Sequence, residues 1–387
     1  MRGSLWGCKM RVRKKITVIF LLCLFLFSFL SVGAGALELP EGFEDIADTL
    51  PAEVLEYIPD GAFSESGEEA MNALIEMTDG KNVFFIIVEI AKDELLSSVK
   101  LFAELCGLLI ISSVFGALCR SFSSDTLSGA VRFCASTVIF ASVIYMQEGH
   151  IRAVSLFFQR LTALMTAMVP VTGTVWAMGG NLNTATVGTS SLYLFISACE
   201  GLCANSVVPV CCIFTALALC NTLSPEMGLR GLSGAFRKIY TFTLGLIMTV
   251  LIASLSAQTT LTAAADCTAA RAARLVSANI IPVVGGSVGE TLRTVATGVQ
   301  YLKGVVGVWG IAFIALLLLP VLISLVLTRL AFLLGSGVAD MLGCEVEGRL
   351  LSELGGVYAI MVAVVSMSSV MFIFALTIFS KTVVAVM

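Results

Sequence analysis

From about residue 99 to its C-terminus the chain is a succession of long apolar runs that carry few charges. Such runs need surroundings as apolar as themselves. In lipid no water hydrates the backbone N–H and C=O groups, so a spanning segment must be a helix or part of a closed barrel. The runs are long and show no two-residue alternation, which selects helices. By length and hydropathy the candidate spans are about 99–119, 127–146, 154–178, 186–205, 207–222, 239–257, 304–334 and 350–380. The run at 304–334 exceeds a simple span and has Pro320 in its middle, so it reads as one kinked helix or a tight pair. The expected fold is therefore all-α, a polytopic helical membrane protein.

Composition excludes the soluble alternatives. Apolar residues make up 58% of the chain and charged residues 13%, against roughly 25% charged in soluble domains. The mean hydropathy is +0.98. Of the 12 cysteines, Cys106, Cys134, Cys199, Cys203, Cys211, Cys212 and Cys220 lie inside apolar runs, where Cys acts as a small hydrophobe. A metal site in the Cys199 to Cys220 group has no histidine beside it, and structural zinc favours tight Cys/His pairs. His150 is the single histidine and sits in a short polar stretch. Ser–His or Cys–His catalysis thus has almost no material. The expectation is no enzyme, no cofactor and no metal.

The N-terminus is built differently. Residues 1–15 hold Arg2, Lys9, Arg11, Arg13, Lys14 and Lys15, an uncharged run extends from Ile16 to Val32, and Ala34-Gly35-Ala36 follows. A basic start, an apolar run and an A-x-A site make a secretory signal peptide over residues 1–36, with cleavage expected after Ala36. The next segment, 37–98, carries sixteen of the 27 Asp and Glu, from Glu38 to Glu94, against Lys81 and Lys92. It reads as an acidic extracytoplasmic leader ahead of a multi-span domain at 99–387. Two roles are open to it: docking a partner, or packing against the membrane domain. Pro51 is placed to open a short helix, Glu68 to Asp79 has a second helical pattern, and Val83 to Leu96 runs into the first span.

Lys and Arg set the orientation. With the leader outside, Arg120 and Arg132 fall inside, and Arg230, Arg237 and Lys238 fit a cytoplasmic loop. The stretch from Thr262 to Lys303 holds Arg271, Arg274, Arg293 and Lys303, yet counting places it outside. Either a span is miscounted or this stretch is a re-entrant hairpin.

An internal repeat is legible. Pro170-Val171-Thr172-Gly173 resembles Pro282-Val283-Val284-Gly285, 112 residues on; Pro209 pairs with Pro320 and Arg237 with Arg349 at nearly the same offset. The repeats would cover about 154–258 and 266–370. Each would begin with a helix stopped by proline and followed by a Gly-rich stretch, and paired broken helices point to a substrate path. The bland alternative is two kinked helix ends. Charges inside apolar runs are the other candidates: Glu104, Arg132, Arg160, Glu200 and Arg329. Glu200 stands out among small neighbours, with Arg160 as a conceivable partner or a residue that snorkels to headgroups. Pro170, Gly173, Glu200, Pro209, Pro282, Gly285 and Pro320 are thus the residues expected to line a pore or to set packing.

The signal segment, the acidic leader and the stretch Ala278-Asn279-Ile280-Ile281-Pro282-Val283-Val284-Gly285-Gly286 resemble stage III sporulation protein AE. The resemblance runs over essentially the whole chain and is most specific from about Arg271 to Lys381. It implies a component of a channel complex that joins the mother cell to the engulfed forespore. The partners would be other stage III sporulation proteins of that complex, in the mother-cell (outer forespore) membrane, with membrane lipid and no nucleic acid. The complex would support forespore development and late forespore transcription. It brings no catalytic residues. A stand-alone small-solute permease is the alternative.

A cysteine placed at Glu65 should react with a membrane-impermeant maleimide in intact cells; reaction only after permeabilisation would put the leader on the wrong side.

Overall fold

The computed structural model describes residues 44–384, except 60–61, 64–66, 79, 122–124, 224–228 and 281–284. The signal peptide and Pro282 lie outside the described residues. A 3-10 turn at Glu44–Thr49 and a single helical turn α1 (Ala52–Leu55) lead into α2 (Gly67–Thr78). Then come α3 (Gly80–Ser121), α4 (Asp125–Met178), α5 (Thr189–Leu223), α6 (Leu229–Ile280), α7 (Gly285–Met341) and α8 (Glu345–Lys381). Among the described residues, these six long helices are long and apolar enough to cross a membrane. Together they form an all-α polytopic membrane fold.

Six helices replace the eight expected spans. The stretches 127–146 and 154–178 are one helix, α4, and polar residues between them find partners without interrupting it. Gln147 Nε2 donates to Thr215 Oγ1 of α5 at 2.7 Å, and Arg152 pairs with Glu148 one turn away at 2.6 Å. The stretches 186–205 and 207–222 likewise fuse in α5, where the Ser206 hydroxyl bonds back to the Leu202 carbonyl. The 304–334 run is part of one continuous helix through Pro320, and no hairpin forms there. The last helical stretch of the leader and the first span form the single helix α3.

The α7–α8 pair is the spine of the bundle, and α4 and α5 pack against it. Phe332 of α7 packs on Tyr358 of α8 with ring centroids 5.2 Å apart, while Phe372 and Phe379 of α8 pack against Phe195 of α5 and Trp176 of α4. The helices approach closely at Gly310, where a Cβ would stand 2.7 Å from Leu376 and 2.9 Å from Met168. In lipid such small residues let dispersion contacts hold helices together.

The leader folds onto this bundle. Trp309 Nε1 of α7 donates to the Ala70 carbonyl of α2 at 3.1 Å, and Phe63 stacks on Phe313 with centroids 5.5 Å apart. Ile46, Ala62, Ala70 and Ala73 are buried. Tyr57 lies against α3: burial, then the carboxylates of Glu89, Glu56 and Asp93, push its phenol up. The packing role of the leader is thus realised in its apolar residues, while Asp48, Glu56 and Glu76 remain exposed.

Gly310→Val should destabilise the bundle by about 1–3 kcal/mol through overpacking. A lowered thermal midpoint in lipid nanodiscs would register this, and an unchanged midpoint would contradict the close approach.

Candidate functional site

The helix break lies some ten residues beyond Pro170. That proline faces outward inside α4, and the helix continues to Met178. Proline removes one N–H, yet the helix runs on, and beyond it the Thr172 and Thr174 hydroxyls bond back to the Val169 and Val171 carbonyls at 2.8 and 2.9 Å. The chain stops being helical at Gly179 and Gly180. There Gly180 adopts φ +74°, its N–H bonds to the Ala177 carbonyl, and the Asn181 N–H reaches Trp176 at 3.0 Å. This is the glycine-terminated C-cap that satisfies the last carbonyls of a helix.

The next helix starts at once, as a widened π turn over Thr184–Gly188 that continues into α5. Its first N–H groups would be orphans. Asp266 of α6 takes them: Asn183 N–H donates at 3.0 Å to one carboxylate oxygen, and Thr184 N–H and Oγ1 donate at 2.8 and 2.7 Å to the other. A carboxylate at a helix N-terminus is also favoured by the helix dipole. Asp266 is only 4% exposed and Thr184 is fully buried, so the charge stands on these bonds.

The C-terminal end of α8 closes the same knot. Asn181 Nδ2 donates to the Val383 carbonyl at 2.8 Å. Lys303 of α7, 1% exposed, donates through Nζ to the Thr382 carbonyl at 2.7 Å and lies 6.0 Å from the Phe379 ring centroid. A cation thus meets the carbonyl end of a helix, where the dipole is negative. This accounts for Lys303 among the cations that fitted poorly as loop residues. Beside the knot, between α6 and α8, a cavity of about 420 Å³ is lined by Ser256, Thr259, Thr260, Arg271, Lys381 and Thr382, among others.

At the opposite end, Arg237 of α6 pairs with Glu353 of α8 at 3.1 Å and also donates to the Glu353 carbonyl at 2.9 Å. Asn221 of α5 donates to the same carboxylate at 3.3 Å. Three helices are fastened there by one half-buried ion pair. Arg349, its partner in the expected repeat, instead makes an exposed ion pair with Glu345 one turn away.

The residues singled out in the sequence are not gathered in one place. Pro170, Glu200 and Pro209 face outward. Gly173 is half-buried where α4 meets α5, and a Cβ there would stand 2.8 Å from Thr189. Pro320 is half-buried inside α7, and Gly285 opens that helix. Asp266, Asn181 and Thr382 went unread, although Gly179-Gly180-Asn181 and a lone acid within the α6 pattern were the signals available. Among the described residues no group of His, Cys, Asp and Glu could hold a metal.

Bundle and knot define a polytopic α-helical membrane protein whose polar contacts serve to hold helix ends. The sequence profile of the family described as Stage III sporulation protein AE matches residues 68–382. The chain belongs to that family. It is 23% identical over 282 residues to Stage III sporulation protein AE of Bacillus subtilis (strain 168), covering 73% of this chain and 68% of the relative. No solved structure matches it.

Asp266→Ala should lower stability by about 2 kcal/mol, because it strips a capping carboxylate from buried donors. Asp266→Asn should lose less. Unfolding in mild detergent with increasing denaturant would rank the three, and equal midpoints would mean that Asp266 does not cap the start of α5.

Proposed function

We propose that the chain is a membrane subunit of the sporulation channel complex that joins mother cell and forespore. It would sit in the outer forespore membrane with its leader outside the cytoplasm. There it would assemble with other stage III sporulation proteins and support forespore development and late forespore transcription. Family membership supports the sporulation role, and six long apolar helices support residence in a membrane.

One observation favours a subunit over a stand-alone permease. A permease that works alone keeps polar groups around a path through its own middle. Here the interior near the depth of Glu200 is filled by Leu161, Leu164, Met165, Cys199 and Cys203, all buried. The charged side chains of that region, Glu200 and Arg160, point away from it. Outward charges of this kind suit contacts with neighbours better than a path through this chain. The acids left exposed on the leader, Asp48, Glu56 and Glu76 among them, give those neighbours a second surface, which a basic partner could read electrostatically.

Purified chain reconstituted alone into liposomes should pass no small solutes above the leak of empty vesicles. Flux should need the other proteins of the complex. Saturable transport by the chain alone would overturn the subunit reading in favour of the permease.

A further inference from the structure

The surface of the α4–α5 pair carries two opposite charges at one depth. The pair has a single antiparallel register, fixed by two contacts far apart along it: Gly173 against Thr189, and Gln147 bonded to Thr215. Thirteen residues from Gly173 along α4 lead to Arg160, and thirteen from Thr189 along α5 lead to Leu202, so Arg160 lies level with Leu202. Glu200 is two residues away, a height difference of about 3 Å at 1.5 Å per residue. Both side chains are exposed. Among the described residues neither has a hydrogen bond or an ion pair.

Both also lie within helix stretches long and apolar enough to cross a membrane, Phe140–Met178 and Thr184–Thr222. At the helical rise, Arg160 is about 12 Å from Arg152, the nearest charge along α4, and about 27 Å from Met178 at the knot. A carboxylate that faces lipid within such a stretch is disfavoured, and so is a cation without a partner. Around Glu200 the outward face is small and polar. Ser197, Gly201 and Asn205 follow one another at four-residue spacing and are exposed, and a Cβ at Gly201 would meet nothing within 4 Å. That face has room for another helix at close range.

We infer that Arg160 of one copy of this chain pairs with Glu200 of a second copy, across an interface built from the outward faces of α4 and α5. Copies inserted the same way in one bilayer are related by an axis along the membrane normal, which leaves the depth of every residue unchanged. Two charges at one depth therefore meet between copies without either chain shifting. The same pairing closes a two-fold dimer if both faces share one interface, or a ring if they lie on opposite sides. Charge complementarity at matched depth identifies the occupant as a second copy. The inference goes beyond the channel reading and stands or falls without it, since self-association requires neither sporulation nor flux.

The test separates pairing between copies from pairing within one. Arg160→Glu gives a chain with two acids at this depth, and Glu200→Arg gives one with two cations. Two differently tagged full-length chains are co-expressed in membranes, extracted in mild detergent, and scored by capture of one tag on the other. Wild type should co-capture. Each variant paired with itself should fall about tenfold, because like charges then face each other. Arg160→Glu paired with Glu200→Arg should return to within about twofold of wild type, since every contact again joins a cation to an acid. Pairing within one chain predicts no such recovery, because mixing does not change either chain's own charges. Membrane yield of each variant is measured in parallel. If either charge reversal fails to insert, Arg160→Gln and Glu200→Gln take their place and should each reduce capture. Recovery on mixing, or reduced capture by properly inserted glutamine variants, supports the pair. A monomeric wild type, unchanged capture by inserted single variants, or no recovery on mixing overturns it.

Discussion

Every helix that ends near hydrocarbon leaves carbonyls and N–H groups that water cannot reach, and this bundle depends on how they are satisfied. One carboxylate, Asp266, accepts from two backbone amides and a hydroxyl at the start of α5. One ammonium, Lys303, donates to the end of α8. Each is costly to bury alone and acceptable only with its bonds made. Because the donors and acceptors come from different helices, satisfying them fixes the ends of α4, α5 and α8 against the middle of α6 and α7. The apolar seam between α7 and α8 supplies cohesion, but apolar contact by itself tolerates sliding. The polar contacts at the two ends set the register.

The helical membrane class was readable because it follows from a single rule about backbone groups in lipid, and the family resemblance rested on a short stretch around Pro282 with the leader before it. The span count was harder to read. Window-based hydropathy treats Gln147 to Arg152 as a loop, yet those residues remain helical when Thr215 and a one-turn ion pair answer them. Proline need not stop a helix, and α4 runs through Pro170. Thr172 and Thr174 donate to carbonyls near Pro170, while the actual stop is Gly180, where a positive φ is required. Asp266 looked like an ordinary polar residue late in an amphipathic pattern. Its importance comes from a partner 82 residues away, and no local pattern reports that.

Glu200 shows a different limit. Its sequence setting makes it expensive in lipid. Direction was the missing variable. A periodic apolar helix does not say which of its faces meets its own bundle, and burial of Cys199 and Cys203 turns Glu200 outward. The leader poses the same question at larger scale. Its apolar residues reach Trp309 and Phe313, so an acidic composition did not prevent a well-packed underside.

The tether between Asn181 and Val383 has a consequence for biosynthesis. A ribosome makes Asn181 some two hundred residues before the carbonyl that receives its side chain, and the acceptor for Lys303 likewise arrives among the last residues of α8's exit. During translation the turn between α4 and α5 must therefore wait at the bilayer with Asn181 unfastened, although Asp266 can engage it earlier. Closure of that end is a late event, timed by release of the final helix into the membrane. A chain stalled or clipped before Thr382 would hold six long helices and still lack the latch that joins the α4–α5 turn to the end of α8.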